Sequence, residues 1–122
     1  MIDLKELNIA VIGLGYVGLP LAVEFSKKFP VLGFDLSSKR IKELNNRIDK
    51  TNELSPKELE HALSHDGNLE LSSSESDLYS SNFLIVTVPT PIDEFKVPDL
   101  SPIISACEMI GDHLKKDDIV IF

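Results

Sequence analysis

Short apolar runs alternate along the chain with longer stretches in which apolar residues recur every three or four positions, and glycine, proline and serine separate the two kinds. Apolar runs bounded by turn residues read as strands buried on both faces; the three-and-four spacing reads as amphipathic helix. The first run, Asn8 to Ile12, is rich in β-branched residues and ends at Gly13. Beyond Gly13-Leu14-Gly15-Tyr16-Val17-Gly18-Leu19-Pro20, the positions Leu21, Ala22, Phe25 and Phe29 predict a helix to about Lys28. A second strand, Val31 to Phe34, ends at Asp35. Ser37 then caps a helix through about Ile48, with Ile41, Leu44 and Ile48 on its apolar side. Ser55-Pro56-Lys57-Glu58 combines a capping serine, proline at the first helical position and glutamate at the third. The helix it opens is expected to reach about His65 and stop at Asp66-Gly67-Asn68.

Leu69 to Leu71 reads as a brief strand, and residues 72 to 82 as a polar connection with one helical turn. Phe83 to Val88 is the most apolar strand and breaks at Pro89-Thr90-Pro91 into a polar loop reaching Asp99. Ser101-Pro102 starts a helix whose apolar stripe is Ile103, Ile104, Cys107, Ile110 and Leu114, and a last strand spans Asp118 to Phe122. Strands alternating with helices imply right-handed crossovers, hence an α/β fold: a Rossmann-like doubly wound parallel sheet in three α/β/α layers, cut off after about the fifth strand. Residues 1–122 are expected to form one domain. Its final apolar strand lacks a covering element, which suggests a piece of a larger enzyme.

Composition narrows the function classes. Hydrophobic residues make up 43% and charged residues 26%, an ordinary globular mixture. A net charge of −8 argues against a nucleic-acid partner, which needs a basic face. Backbone amides can still hold phosphate without net positive charge. The single cysteine excludes an intrachain disulfide and a metal site built on paired cysteines. No apolar run approaches the ~20 residues that span a bilayer, and the N-terminal Met1-Ile2-Asp3-Leu4-Lys5-Glu6 has no apolar signal core. A cytoplasmic location without membrane partners is expected.

The candidate chemistry lies in the first turn. A G-x-G-x-x-G pattern gains meaning when it follows a strand and opens a helix, as Gly13, Gly15 and Gly18 do here. Gly13 permits the tight turn, Gly15 lets a pyrophosphate approach the backbone, and Gly18 lets helix and strand pack closely. Amides around Gly15, Tyr16 and Val17, with the positive helix end, would supply anion binding. Asp35, about 20 residues on and at the end of the second strand, would accept hydrogen bonds from the adenosine ribose and repel a 2′-phosphate, favouring NAD over NADP. Lys39 and Arg40 temper that preference, since a cation there could meet a phosphate or stack on adenine. The same residues admit a glycine turn that serves packing alone with Asp35 as a helix cap, or a flavin or S-adenosylmethionine site. Val88-Pro89-Thr90-Pro91 follows the strongest strand, where doubly wound sheets bind their ligands, and Thr90 offers a hydroxyl on a rigid frame. A strand-terminating turn with an incidental threonine is its plainer reading.

The segments Val11-Ile12-Gly13-Leu14-Gly15-Tyr16-Val17-Gly18-Leu19-Pro20-Leu21-Ala22, Gly33-Phe34-Asp35 and Thr87-Val88-Pro89-Thr90-Pro91-Ile92-Asp93 together resemble the UDP-glucose/GDP-mannose dehydrogenase family. The Pro-Thr-Pro-Ile-Asp stretch and Pro98-Asp99-Leu100 resemble its branch acting on UDP-N-acetylhexosamines for surface polysaccharide. The resemblance implies an enzyme that oxidises a sugar C6 alcohol to a carboxylate with two NAD⁺, through a cysteine-bound intermediate, and that forms a homodimer or larger assembly. It implies that Asp35 holds the adenosine ribose with Arg40 near it, that Tyr16 and Val17 present amides to the pyrophosphate, and that Val88, Pro89 and Thr90 lie near the nicotinamide ribose. The family's reaction centre follows further along, so no catalytic residue is expected here; this chain should bind NAD and turn nothing over.

Cys107 lies within the predicted apolar stripe and reads as a small buried hydrophobe rather than a nucleophile. His65 and His113 suit helix C-termini electrostatically. His61 and His65 lack the H-E-x-x-H spacing with Glu58 or Glu60, so a zinc site is rejected. Two competing functions remain at this level: a non-catalytic module that senses NAD, and another NAD-dependent hydroxyacid dehydrogenase sharing only the turn.

Overall fold

The computed structural model describes residues 2–122. In chain order the elements are β1 (Ile9–Ile12), α1 (Gly18–Ser26), β2 (Val31–Phe34), α2 (Ser38–Asn45), α3 (Pro56–Leu63), β3 (Leu69–Ser72), β4 (Phe83–Val86), α4 (Ser101–Gly111) and β5 (Ile119–Ile121). Short 3₁₀ turns occupy Leu4–Glu6 and Glu75–Ser80. The strands form one parallel sheet in the order β3-β2-β1-β4-β5, with Ile9 of β1 in register with both Val31 and Phe83.

The central strand explains the layering. All four residues of β1 are buried, and alternate side chains serve opposite faces. Ile9 and Val11 join Leu19, Ala22 and Val23 of α1, Leu44 of α2 and Leu59 of α3 in one core. Ala10 and Ile12 join Phe34, Leu84, Ala106, Met109 and Ile110 in the other, beneath α4. The chain therefore passes to one face after β1 and to the other after β4, and the carboxyl ends of these adjacent strands flank the topological switch point where such sheets bind ligands. The doubly wound α/β/α architecture is as the periodicity predicts.

Local capping follows the sequence closely. Ser55 Oγ accepts from Glu58 N at 3.2 Å while Ser55 N donates to Glu58 Oε2 at 2.7 Å, completing a reciprocal capping box. Ser37 Oγ accepts from Arg40 N at the start of α2.

Several expectations are corrected. α2 stops at Asn45 because Arg47 adopts φ 63°, so Ile48 lies outside the helix and is exposed rather than on its apolar side. β4 ends at Val86, two residues early, because Thr87 turns its hydroxyl onto the first turn. The buried face of α4 is Ala106, Met109 and Ile110; Ile104 and Cys107 are exposed, and Leu114 falls beyond the helix end and is exposed. Cys107 is thus not a core residue. Two apolar stripes overlap on this helix, and the one centred near Ala106 faces the sheet.

Candidate dinucleotide site

The three glycines meet three different surroundings. Gly13 has φ +97°, and a Cβ there would stand 2.9 Å from Val88 N. A Cβ on Gly18 would stand 1.8 Å from Gly13 O and 2.4 Å from Thr87 Oγ1, so α1 can approach the strand ends only with glycine at this place. A Cβ on Gly15 would meet nothing within 4 Å, which leaves open space in front of the backbone. Gly15, Tyr16 and Val17 are exposed. Among the described residues, the amides of Gly15, Tyr16, Val17 and Gly18 have no protein acceptor, while Leu19 N already bonds Gly15 O. These are the free first-turn donors of a helix end, where the helix dipole favours an anion.

Asp35 is partly buried at the end of β2. Its Oδ2 accepts from Leu14 N at 3.0 Å and its Oδ1 from Ser37 N at 2.9 Å, so it links the glycine turn to the start of α2. An ionised carboxylate has about four acceptor positions, which leaves capacity for two further donors. Helix capping belongs to Ser37, not to Asp35.

Arg40 lines the same cleft, but its guanidinium is turned to the protein. Nε donates to Leu14 O at 2.9 Å, and Nη2 lies 3.0 Å from Asp49 Oδ1 as an ion pair whose N–H is poorly aligned for a hydrogen bond. Asp49 is the functional-site neighbour that sequence reasoning missed. Its side chain is fully buried and accepts from Thr51 N, Thr51 Oγ1, Glu53 N and Leu54 N at 2.6–3.0 Å. Burial pushes the Asp49 carboxyl up, but the Thr51 hydroxyl, the Leu54 and Thr51 amides and Arg40 outweigh it and hold the group below its ordinary value of 3.8. A depressed folded value contributes stability above pH 3.8 that disappears as pH falls through the lower folded value. Asp49→Asn is therefore expected to lower stability by about 1.5–3 kcal/mol at pH 7, the scale of a hydrogen bond to a charged group. Thermal melts should show the gap from the unmutated chain closing in strongly acidic buffer; a gap that widens there would contradict this account.

The second loop closes the other side. Thr87 N donates to Ile12 O at 2.8 Å and Thr87 Oγ1 to Gly13 O at 2.7 Å, which fastens the end of β4 to the glycine turn. Thr87 was not singled out in the sequence; the threonine that was, Thr90, is exposed at the rim with Pro89, and Val88 is half-buried. Beyond them, Asp93 N pairs with Val97 O and Asp93 Oδ1 accepts from Phe95 N and Val97 N, which stiffens the loop.

The turn, Asp35, Arg40 and Val88–Thr90 enclose a cleft of about 650 Å³. A more apolar cleft of about 400 Å³, reaching Leu36, Pro102 and Met109, shares Gly13, Asp35, Val88 and Pro89 with it. The pair makes a groove along the carboxyl edge of the sheet: a flat apolar slot, a carboxylate beside it, then open amides. An adenine, a ribose and a pyrophosphate need those surroundings in that order. A third cleft of about 660 Å³ opens near Asn8, Pro30, Asn68 and Tyr79 and carries no glycine turn.

Fold and groove define a Rossmann-type dinucleotide-binding domain. The sequence profile of the UDP-glucose/GDP-mannose dehydrogenase family, NAD binding domain, matches residues 7–122, and the chain belongs to that family. It is 54% identical over 119 residues to a UDP-N-acetyl-D-glucosamine 6-dehydrogenase of Pseudomonas aeruginosa, covering 98% of this chain and 27% of that protein. It is 48% identical over 122 residues to the enzyme of the same name from Salmonella typhi, covering 100% of this chain and 28% of that protein. A solved UDP-D-ManNAc dehydrogenase from Pyrococcus horikoshii superposes with a TM-score of 0.85 at 33% identity, over 93% of this chain and 27% of that one. The chain thus spans about a quarter of the length of these relatives. Because the family match runs far beyond the glycine turn, a hydroxyacid dehydrogenase sharing only that turn is set aside. Among the described residues, no helix is long and apolar enough to cross a membrane.

Proposed function

We propose that this chain holds NAD for a nucleotide-sugar 6-dehydrogenase acting on a UDP-N-acetylhexosamine. In this reading the pyrophosphate sits on the amides of Gly15, Tyr16, Val17 and Gly18, with Gly13 setting the turn. Asp35 takes the adenosine ribose hydroxyls on its remaining lone pairs, Arg40 backs the turn from behind, and Val88, Pro89 and Thr90 border the nicotinamide ribose. NAD⁺ held there would supply a hydride acceptor; two hydride transfers, to two NAD⁺ in turn, with one water supplying the second oxygen and the protons passing to solvent, would take a C6 alcohol to a carboxylate. The protein's own part is to fix the cofactor and shield one side of it. A cytoplasmic place in surface-polysaccharide synthesis and a dimeric or larger assembly belong to the same proposal, and the names of the similar proteins support its substrate class.

The observation that carries the reading is the coincidence, at one sheet edge, of open space before Gly15, unsatisfied amides behind it and a carboxylate at the end of β2. Calorimetric titration tests it. NADH is expected to bind more tightly than NADPH, because a 2′-phosphate would face the Asp35 carboxylate. Asp35→Asn, which keeps an acceptor oxygen but loses the charge, should reduce that preference about tenfold, a 1.4 kcal/mol effect. Equal preference in both proteins would remove Asp35 from the ribose site. The NAD-holding role within such an enzyme is tested by exchange: this chain is put in place of the matching residues of the Pseudomonas aeruginosa enzyme. The chimera is expected to reduce NAD⁺ with UDP-N-acetylglucosamine; a folded chimera that binds NADH yet reduces nothing would contradict the assignment.

A further inference from the structure

Leu14 is gripped from both sides of its backbone. Its N–H is held by Asp35 Oδ2 at 3.0 Å and its carbonyl oxygen by Arg40 Nε at 2.9 Å. The peptide unit is planar and trans, so a carbonyl and the following N–H point in opposite directions. Whatever fixes Leu14 O therefore aims the N–H of Gly15, the amide that faces the open space. Arg40 does this with a side chain only 12% exposed, and a long flexible side chain holds one direction only if its other end is anchored. The anchor is Asp49, fully buried and itself held by the amides of Thr51, Glu53 and Leu54 and the Thr51 hydroxyl. A planar guanidinium can reach both partners at once, which a lysine could not.

We propose that Asp49 is a positioning residue for the dinucleotide turn: through Arg40 it fixes the Leu14 carbonyl and so aims the Gly15 amide at the ligand. The ion pair has a second consequence. It neutralises the cation that lines the cleft together with Asp35 and Ser37, and so withholds from a 2′-phosphate the counter-charge that would bind it. Asp49 thus acts on both affinity and cofactor choice without touching the cofactor. The ligand part rests on the NAD reading; the aiming of the turn does not.

The test combines hydrogen exchange of the bonded Gly13 and Leu14 amides with NADH and NADPH titrations on the full chain, for Asp49→Asn, Arg40→Gln, the double variant and Ser55→Ala. Asp49→Asn and Arg40→Gln should each speed exchange at Gly13 and Leu14 and weaken NADH about tenfold, with the double variant no worse than either, the signature of residues acting as one unit. Asp49→Asn should also weaken NADPH less than NADH, whereas a purely structural role would weaken both alike. Ser55→Ala, which removes the capping box of α3 while leaving Asp49, its donors and Arg40 in place, should leave exchange at Gly13 and Leu14 unchanged. Additive effects, or a Ser55→Ala variant that reproduces the loss, overturn the proposal. If Asp49→Asn does not fold, the contrast between Arg40→Gln and Ser55→Ala decides in the same way. If the unmutated chain binds no NADH, the functional reading fails while the exchange measurement still judges the coupling.

Discussion

Gly18→Ala is expected to destabilise the fold by about 3 kcal/mol or more, the upper range for forcing an extra methyl into a packed site. The added carbon would lie 1.8 Å from Gly13 O and 2.4 Å from Thr87 Oγ1. Neither obstacle is a flexible side-chain end. Gly13 is fixed at φ +97° with its N–H bonded to Phe34 O, and Thr87 is tied to Ile12 O through its amide. Relief requires α1 to withdraw from β1, and Leu19 and Ala22, both fully buried, would leave the core with it. Thermal unfolding should fall by about 10 °C or more for a domain of this size. A melting temperature within a degree or two of the unmutated chain would mean that α1 and the strand ends do not meet as described.

Gly15→Ala is expected to do the reverse, leaving stability nearly unchanged and removing most dinucleotide affinity. Nothing lies within 4 Å of the carbon it adds, and Gly15 has no left-handed backbone conformation to lose. The methyl would stand where a pyrophosphate has to approach the amides, so affinity should drop by roughly ten- to a hundredfold, about 1.4–2.8 kcal/mol. Calorimetric titration with NADH beside a thermal melt separates the two quantities. A stable variant with unaltered affinity would take the pyrophosphate away from this turn. Two glycines three residues apart are thus expected to carry opposite burdens, one the fold's and one the ligand's.

How much of this could be seen in the sequence depends on the physics at each place. β1, β2 and β4 were legible because strands buried on both faces must be apolar throughout, and a parallel sheet with right-handed crossovers follows once helices separate them. The turn was legible because glycine's roles there are steric: Gly13 takes the positive φ of a tight turn, Gly18 permits the close approach of helix and strand, and Gly15 faces open space. The buried face of α4 was not, because Ile104 and Cys107 extend an apolar spacing that tertiary packing does not use. The end of β4 was misplaced because Thr87 is as acceptable to a strand as to the hydroxyl bridge it makes. Asp49 left no periodic trace. Its role depends on a loop folding back onto Arg40, and the only local hint was an aspartate two residues before a threonine, a spacing that suits a side-chain-to-backbone turn.

NAD is expected to touch the chain along the carboxyl edge of the sheet, and amide chemical shifts read such contacts residue by residue. Titrating labelled protein with NAD⁺ is expected to move the amides of Gly13–Gly18, Asp35–Ser37, Val88 and Thr90 saturably and together, leaving the opposite edge near Asn8 and Asn68 still. Shifts gathered at that opposite edge, or a glycine turn that stays silent while NAD⁺ binds elsewhere, would contradict it.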